Sequence, residues 1–438
     1  MDTTGGGQFG AGPNSDSVSD FAPWLQLALG VVCMAAVANL QYGWTWFVDP
    51  INARYHWGRP AIQFAFTLFV IVETWLVPVE GYLVDRFGPR PVVIAGSFLV
   101  ALAWIINSQA SSLAPLYVGA AIGGIGTGSI YGTCVGNALK WFPKNRGLAA
   151  GITAAGFGLG AAFTVNPIKQ MIDTSGYVHA FAVFGVLQGL IVLVMAWGLR
   201  RAPSSLLAAA PKRNQSARSF SPVQVLRSPC FWVLYVMFVL VASGGLTMAA
   251  NIASAATDFK IAQTPVSIFG IVQAAAPFAV ILNRVFDGLG RPFFGWVSDH
   301  FGRENTMAIA FVIGAAALLT LARAGSDPLI FVLVTALYFG VFGEIYSLFP
   351  ATQGDTFGAQ YATANSGMLY TAKGVGALTV GSAAAIATSH GWHTVFLLAA
   401  CFNIAAAALG LFVLKPMRTK HFETTRSQLA ASAALNDS

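Results

Sequence analysis

Charge is scarce in this chain: Asp, Glu, Lys and Arg make up only 9% of 438 residues. That excludes an ordinary soluble globular surface, where about a quarter of residues are charged. Cysteine numbers four (Cys33, Cys134, Cys230, Cys401) and histidine six. The cysteines lie within apolar runs as small core residues and show no metal-ligand spacing. No His/Glu metal motif, nucleophile elbow or phosphate loop occurs either, so no metal, cofactor or enzymatic site is expected. Residues 1–20 contain no Lys or Arg. They therefore lack the basic start of a signal peptide and read as a disordered polar tail.

What is abundant is apolar sequence, at 56% of residues with a mean hydropathy of +0.65. The runs are long enough to cross a bilayer, which takes about 20 residues each. Twelve are predicted, at 23–48, 61–84, 91–108, 115–139, 147–168, 179–199, 229–256, 265–291, 305–323, 328–350, 362–387 and 392–414. The fold class is thus an all-α membrane protein. Of the 24 Lys and Arg residues, Arg54, Arg59, Lys169, Lys260 and Arg323 fall on one side and Arg284, Arg291 and Lys373 within spans. The rest crowd the other side, which places both termini in the cytoplasm of a plasma (inner) membrane. The net charge of +7 then faces anionic lipid rather than nucleic acid.

The longest polar stretch between spans, from Arg200 to Arg227, divides six from six. The expected domains are a tail (1–20), a six-helix bundle (21–199), a basic linker (200–228), a second bundle (229–416) and a tail (417–438). The halves repeat. "VPVEGYLVDRFGPR" (77–90) aligns with "RPFFGWVSDHFGRE" (291–304) at an offset of 214, pairing Pro78 with Pro292, Gly81 with Gly295 and Asp85 with Asp299. Parallel repeats of this kind build secondary transporters that bind substrate near the midplane between the halves. The two copies also resemble the loop motif of the major facilitator superfamily, which implies gating roles for Asp85, Arg86, Asp299 and Arg303.

The repeat serves as a control for the intramembrane charges. Arg291 aligns with Val77, and Lys373 falls opposite Phe157 when Gly367 is paired with Gly151. Both cations therefore belong to the second half alone, and folding of the first half did without them. A cation at bilayer depth costs about 2.5–3.5 kcal/mol on insertion scales, so it faces a cavity or a partner. Arg offers a planar fork for a carboxylate and Lys a compact charge. Acids are at hand too. Asp287 lies one turn before Arg291 and three residues after Arg284, and Glu344 is a possible neutraliser of Lys373. Counted against Glu73, Asp287 and Glu344, the three intramembrane cations sum to zero.

Gln41 and Tyr42 of the first span, Tyr131 of the fourth, Tyr346 of the tenth and Tyr370 of the eleventh are deep enough to line a midplane site. A ring of Tyr encloses a small flat substrate while offering hydroxyls, which suits a small acid better than a sugar. The glycine runs "GAAIGGIGTGSIYG" (119–132) and "GITAAGFGLGAAF" (151–163) mimic nucleotide loops. They lie within apolar spans and read as helix contacts.

Several stretches together resemble the oxalate:formate antiporter family of the major facilitator superfamily. They are "LQYGWTWFVDPI" (40–51), "YLVDRFGPR" (82–90), "KWFPKNRGLAAGITAAGFGLG" (140–160), "GRPFFGWVSD" (290–299), "YSLFPA" (346–351) and "YTAKG" (370–374). The resemblance implies twelve helices in two bundles and no cofactor. It implies transport of small carboxylates by alternating access, with Arg291 and Lys373 holding the carboxylates and Gln41, Tyr42, Tyr131, Tyr346 and Tyr370 around them. It also implies a monomer. The chain departs from the family pattern at Phe157 (a tyrosine there), Phe342 (a tryptophan), Glu73 (an uncharged polar residue) and Asp287 (an asparagine). The added acids Glu73 and Asp287, with Glu344, are candidate proton carriers. Proton-coupled monocarboxylate symport stands beside antiport, and a facilitator for another solute beside both.

Overall fold

The computed structural model describes residues 21–207, 215, 216 and 218–436. The expected disordered tail and the basic residues Lys212 and Arg213 lie outside them. A bilayer interior supplies no hydrogen-bond partners to the backbone, so each apolar run closes its own bonds as a helix.

Twelve passes result. The first is α1 (Phe21–Tyr42) with α2 (Thr45–Tyr55), and the second is α3 (Arg59–Trp75) with α4 (Val77–Phe87). The second bends by 42° at Leu76, where Pro78 cannot donate to the ladder. Then follow α5 (Pro89–Ser108), α6 (Leu113–Trp141), α7 (Arg146–Ser175) and α8 (Tyr177–Gly198). The linker holds α9 (Ser204–Leu207) and α10 (Pro222–Leu226). The second bundle opens with α11 (Pro229–Asp258), α12 (Ala275–Phe301) and α13 (Arg303–Ala324). Its tenth pass is α14 (Pro328–Phe342) with α15 (Ile345–Phe357). The eleventh is α16 (Ala362–Ala377) with the start of α17 (Thr379–Ala408). Gly391, at φ 78°, turns the chain back within α17. The twelfth pass runs through a π-helical turn, Leu409–Leu414, into α18 (Lys415–Asn436).

Among the described residues, eight helical segments are long and apolar enough to cross a membrane by themselves, and the bent α3–α4 pair makes nine. The three other passes are α7, α12, which carries Arg284, Asp287 and Arg291, and α16, which is only 16 residues long.

Three expectations need correction. Residues 265–274 do not begin the eighth span. They form a hairpin of β1 (Pro265–Ile268) and β2 (Ile271–Ala274), because Phe269 and Gly270 both adopt positive φ, the geometry of a tight two-residue hairpin loop. Cys401 is exposed and not a core residue, whereas Cys33, Cys134 and Cys230 are buried as expected. The stretch after Pro416 continues as α18 and docks on the second bundle, where Arg418 is 2% exposed, donates to Thr356 Oγ1 (2.7 Å) and pairs with Glu304.

The bundles meet where α7 lies on α12 and α15, and where α16 lies on α3, α4 and α6. Glycine makes this approach possible. A Cβ on Gly151 would come within 2.7 Å of the Arg291 carbonyl carbon. The glycine runs of α6 and α7 are helix contacts, as their setting predicts.

Candidate functional site

Arg291 projects from α12 at the bundle interface and is 2% exposed. Its Nη2 donates to Asp287 Oδ2 at 2.6 Å, one turn back on the same helix. Its Nη1 donates 2.7 Å to the Ala154 carbonyl on α7, across the interface. The guanidinium stacks 4.6 Å from the Tyr346 ring centroid. Arg291 Nε and Asp287 Oδ1 have no partner among the described residues, so the pair keeps one donor and one acceptor in reserve. The break between α14 and α15 brings Gly343 alongside: its Cβ position lies 3.2 Å from Arg291 Cγ.

Lys373 projects from α16 and is 3% exposed. Its Nζ donates to Tyr370 Oη at 2.8 Å and lies 3.3 and 3.4 Å from the two Glu73 carboxylate oxygens on α3. The expected neutraliser, Glu344, does not meet it. Glu344 is fully buried at the break in the tenth pass, and both its oxygens lack a hydrogen-bond partner among the described residues. Lys373 instead reaches into the opposite bundle. Asp287 and Glu73 together balance the two cations, which is the condition under which charges persist in a dry interior.

The sequence carried a signal for this pairing: the offset of 214 that defines the repeat also relates Glu73 to Asp287. The acids are equivalent in the two halves, but only the second half has a cation four residues on. Val77 stands in that place in the first half, so Glu73 takes its cation from the other bundle.

Tyrosines surround both pairs. Tyr131 stacks on Tyr370 at 4.7 Å between centroids, and Phe157 meets Tyr42 and Tyr131 edge-on at 5.5 and 5.3 Å. Tyr346 lies 6.5 Å from Tyr370, and Arg284 covers the Tyr42 ring at 4.7 Å. Gln41 is half-buried beside Tyr42, and its Oε1 has no partner among the described residues. These side chains enclose Arg291 and Lys373 on all sides, so the site is closed in this conformation.

The end bearing the basic loops is sealed by polar contacts between the bundles. Asp299 accepts from Gly147 N (3.1 Å) and Leu148 N (2.9 Å) in the first turn of α7. Asp85 pairs with Lys140 and accepts from Ala364 N (3.0 Å) in the first turn of α16. Each second-pass Asp therefore caps the fifth pass of the opposite half, where unpaired N–H groups and the helix dipole favour an anion. Arg303 joins this end through Asp299 (2.7 Å) and Asp355 (2.9 Å). Arg86 does not: it is exposed over the Phe87 ring, with no ion pair among the described residues.

Sequence reasoning missed the hub. Asp355 receives Arg146 Nη1 (2.8 Å) from the first half, Arg303 from the second and Gln215 Nε2 (2.9 Å) from the linker. Gln215 also donates to the Pro143 carbonyl at 2.8 Å, so the linker ties the halves together. An isolated acid at the end of a span was the only available hint.

Two bundles joined by a linker, a repeat-related gate and a central charged site set the frame for comparison with known proteins. The sequence model of the Major Facilitator Superfamily matches residues 27–287 and 266–436. The chain belongs to that superfamily. Within it, it belongs to the oxalate:formate antiporter family, being 34% identical over 398 residues to the oxalate:formate antiporter of Oxalobacter formigenes. That match covers 90% of this chain and 92% of the relative. Human monocarboxylate transporter 11 is more distant, 24% identical over 63% of this chain and 56% of its own length. Among solved structures, the Escherichia coli fucose:proton symporter superposes with a TM-score of 0.65 at 17% identity, covering 90% of this chain and 99% of that one. A proton:xylose symporter does so at 0.69 and 13%, covering 90% and 95%. These structural likenesses share the facilitator fold. The facilitator described here is a multi-pass membrane transport protein and not an enzyme.

Proposed function

We propose that this facilitator carries small carboxylates by alternating access, with Arg291 and Lys373 as the anion-binding groups and Gln41, Tyr42, Tyr131, Tyr346 and Tyr370 lining the site. One observation carries the reading. The Lys373–Glu73 pair, at 3.3 Å, crosses the bundle interface. An incoming carboxylate that takes Lys373 from Glu73 thus changes a contact that holds the halves together, and a ligand moves a conformational equilibrium only through such differential contacts. The relative in Oxalobacter formigenes supports oxalate and formate as the first substrates to try, exchanged one for the other. By the Lys/Arg bias, both termini lie in the cytoplasm.

A second reading, proton-coupled monocarboxylate symport, draws support from the same acids. With Glu73 and Asp287 ionised the centre is neutral, so adding an anion leaves it negative unless a carboxylate takes up a proton. Counterflow of labelled oxalate, formate and pyruvate in proteoliposomes, with and without an imposed proton gradient, separates the readings. Exchange indifferent to the gradient supports antiport, and uptake driven by it supports symport. Transport of none of the three would falsify the small-carboxylate assignment.

A further inference from the structure

Glu80 has no part in the reading above. It lies on α4, seven residues after Glu73, and is 7% exposed. Neither of its oxygens has a hydrogen-bond partner among the described residues. Both acids adjoin the same glycine: a Cβ on Gly128 of α6 would stand 3.0 Å from Glu80 Oε2 and 2.6 Å from the Glu73 carbonyl oxygen. Glycine at 128 lets α6 lie directly against both residues, where any side chain would collide. Seven residues span about 10 Å of helix axis, here across the bend at Leu76, and place Glu80 on the Asp85 side of the central site.

The charged and titratable groups on the elements packed against α4 are otherwise engaged. On α4 itself, Asp85 is held by Lys140 and Ala364 N, Arg86 lies over Phe87, and Tyr82 is exposed. On α5, Arg90 covers the Trp197 ring. On α6, Lys140 is taken by Asp85 and Tyr131 stacks on Tyr370. On α16, Lys373 and Tyr370 face Glu73. No cation among the described residues answers Glu80, and an unpaired carboxylate in such a place is strongly disfavoured against the neutral acid.

We propose that Glu80 is a proton-binding residue that serves Glu73. When a substrate carboxylate takes Lys373, Glu73 is left as an uncompensated anion. As the Asp85–Lys140 end opens, water reaches Glu80; the Glu80 O–H bond breaks and its proton passes along that water to a Glu73 carboxylate oxygen. The negative charge thereby moves from Glu73 to a Glu80 that the entering water now solvates. Opening of the Asp85–Lys140 end lets Glu80 regain a proton from bulk water. One proton has then accompanied one substrate charge.

The direction of this transfer rests on the carrier reading, but the proton on Glu80 does not, and the tests separate the two. In infrared difference spectra of the bilayer-reconstituted protein at neutral pH, wild type minus Glu80→Gln should contain the carbonyl band of a neutral carboxylic acid. Its absence overturns the proposal whatever the substrate. In proteoliposomes, Glu80→Gln should lower gradient-driven uptake at least fivefold more than counterflow, with Glu80→Asp restoring part of the difference. Equal effects on both assays overturn the relay. So does a wild type that exchanges carboxylates without any response to the gradient, a result that leaves the carrier reading intact.

Discussion

Arg291 is tied to its own helix and Lys373 to the opposite bundle, so the same substitution has different structural consequences at the two positions. Arg291→Gln leaves Asp287 buried without a cation, a loss of about 3–5 kcal/mol when one partner of a buried pair is removed. Asp287→Asn in the same chain should recover most of the melting temperature without recovering uptake, because the anion-binding fork is still missing. A double variant that transports at the wild-type rate would refute the role of Arg291. Lys373→Gln should likewise abolish counterflow while the protein remains monodisperse in detergent. Glu73→Gln removes the cross-bundle acceptor and, on the symport reading, should flatten the dependence of uptake on external pH. An unchanged pH profile in that variant counts against proton carriage at Glu73.

At the scale of elements, the interface depends on α7 lying directly on α12. Gly151 faces the Arg291 backbone with no room for a side chain, so overpacking there forces the helices apart at a cost of about 1–3 kcal/mol. Gly151→Val should therefore reduce transport at least tenfold and lower stability, whereas Gly176→Ala, with open space around its Cβ position, should leave packing unaltered. Gly176 has a φ of 84°, so its Ala variant carries a local backbone cost only. Thermal unfolding with parallel uptake assays tests the pair. The sequence made most of these elements readable, since a span needs only length and apolarity. It hid the hairpin at 265–274, whose apolar residues look like lipid-facing ones until the turn at Phe269 and Gly270 is seen. It hid equally the continuation of the last pass into α18.

Across the whole molecule, closure of the basic end converges on Asp355, which joins both bundles and the linker. Asp355→Asn weakens three charge-assisted bonds at once and should shift the protein away from this closed conformation. Ser298, buried beside Arg303, is a fitting reporter: a Ser298→Cys thiol should react with a polar maleimide at least tenfold faster when Asp355 is replaced. Equal labelling rates would show that the gate does not depend on Asp355. The crossed arrangement of Asp85 on α16 and Asp299 on α7 gives the two halves equivalent latches, as expected for bundles that rock about a shared centre.

Composition and periodicity alone determined that the chain crosses the membrane in repeated apolar passes, since the energetics of lipid burial act on each segment independently. The internal repeat singled out Arg291 and Lys373 in the same way, by comparing one half with the other. Only the tertiary structure decided which acid each cation meets. A partner one turn away, such as Asp287, is fixed by helix geometry. Glu73 and Asp355 find their partners across an interface between distant segments, which no local pattern encodes. The unanswered carboxyl of Glu80 is visible for the same reason, because a missing partner is a property of the assembled surroundings.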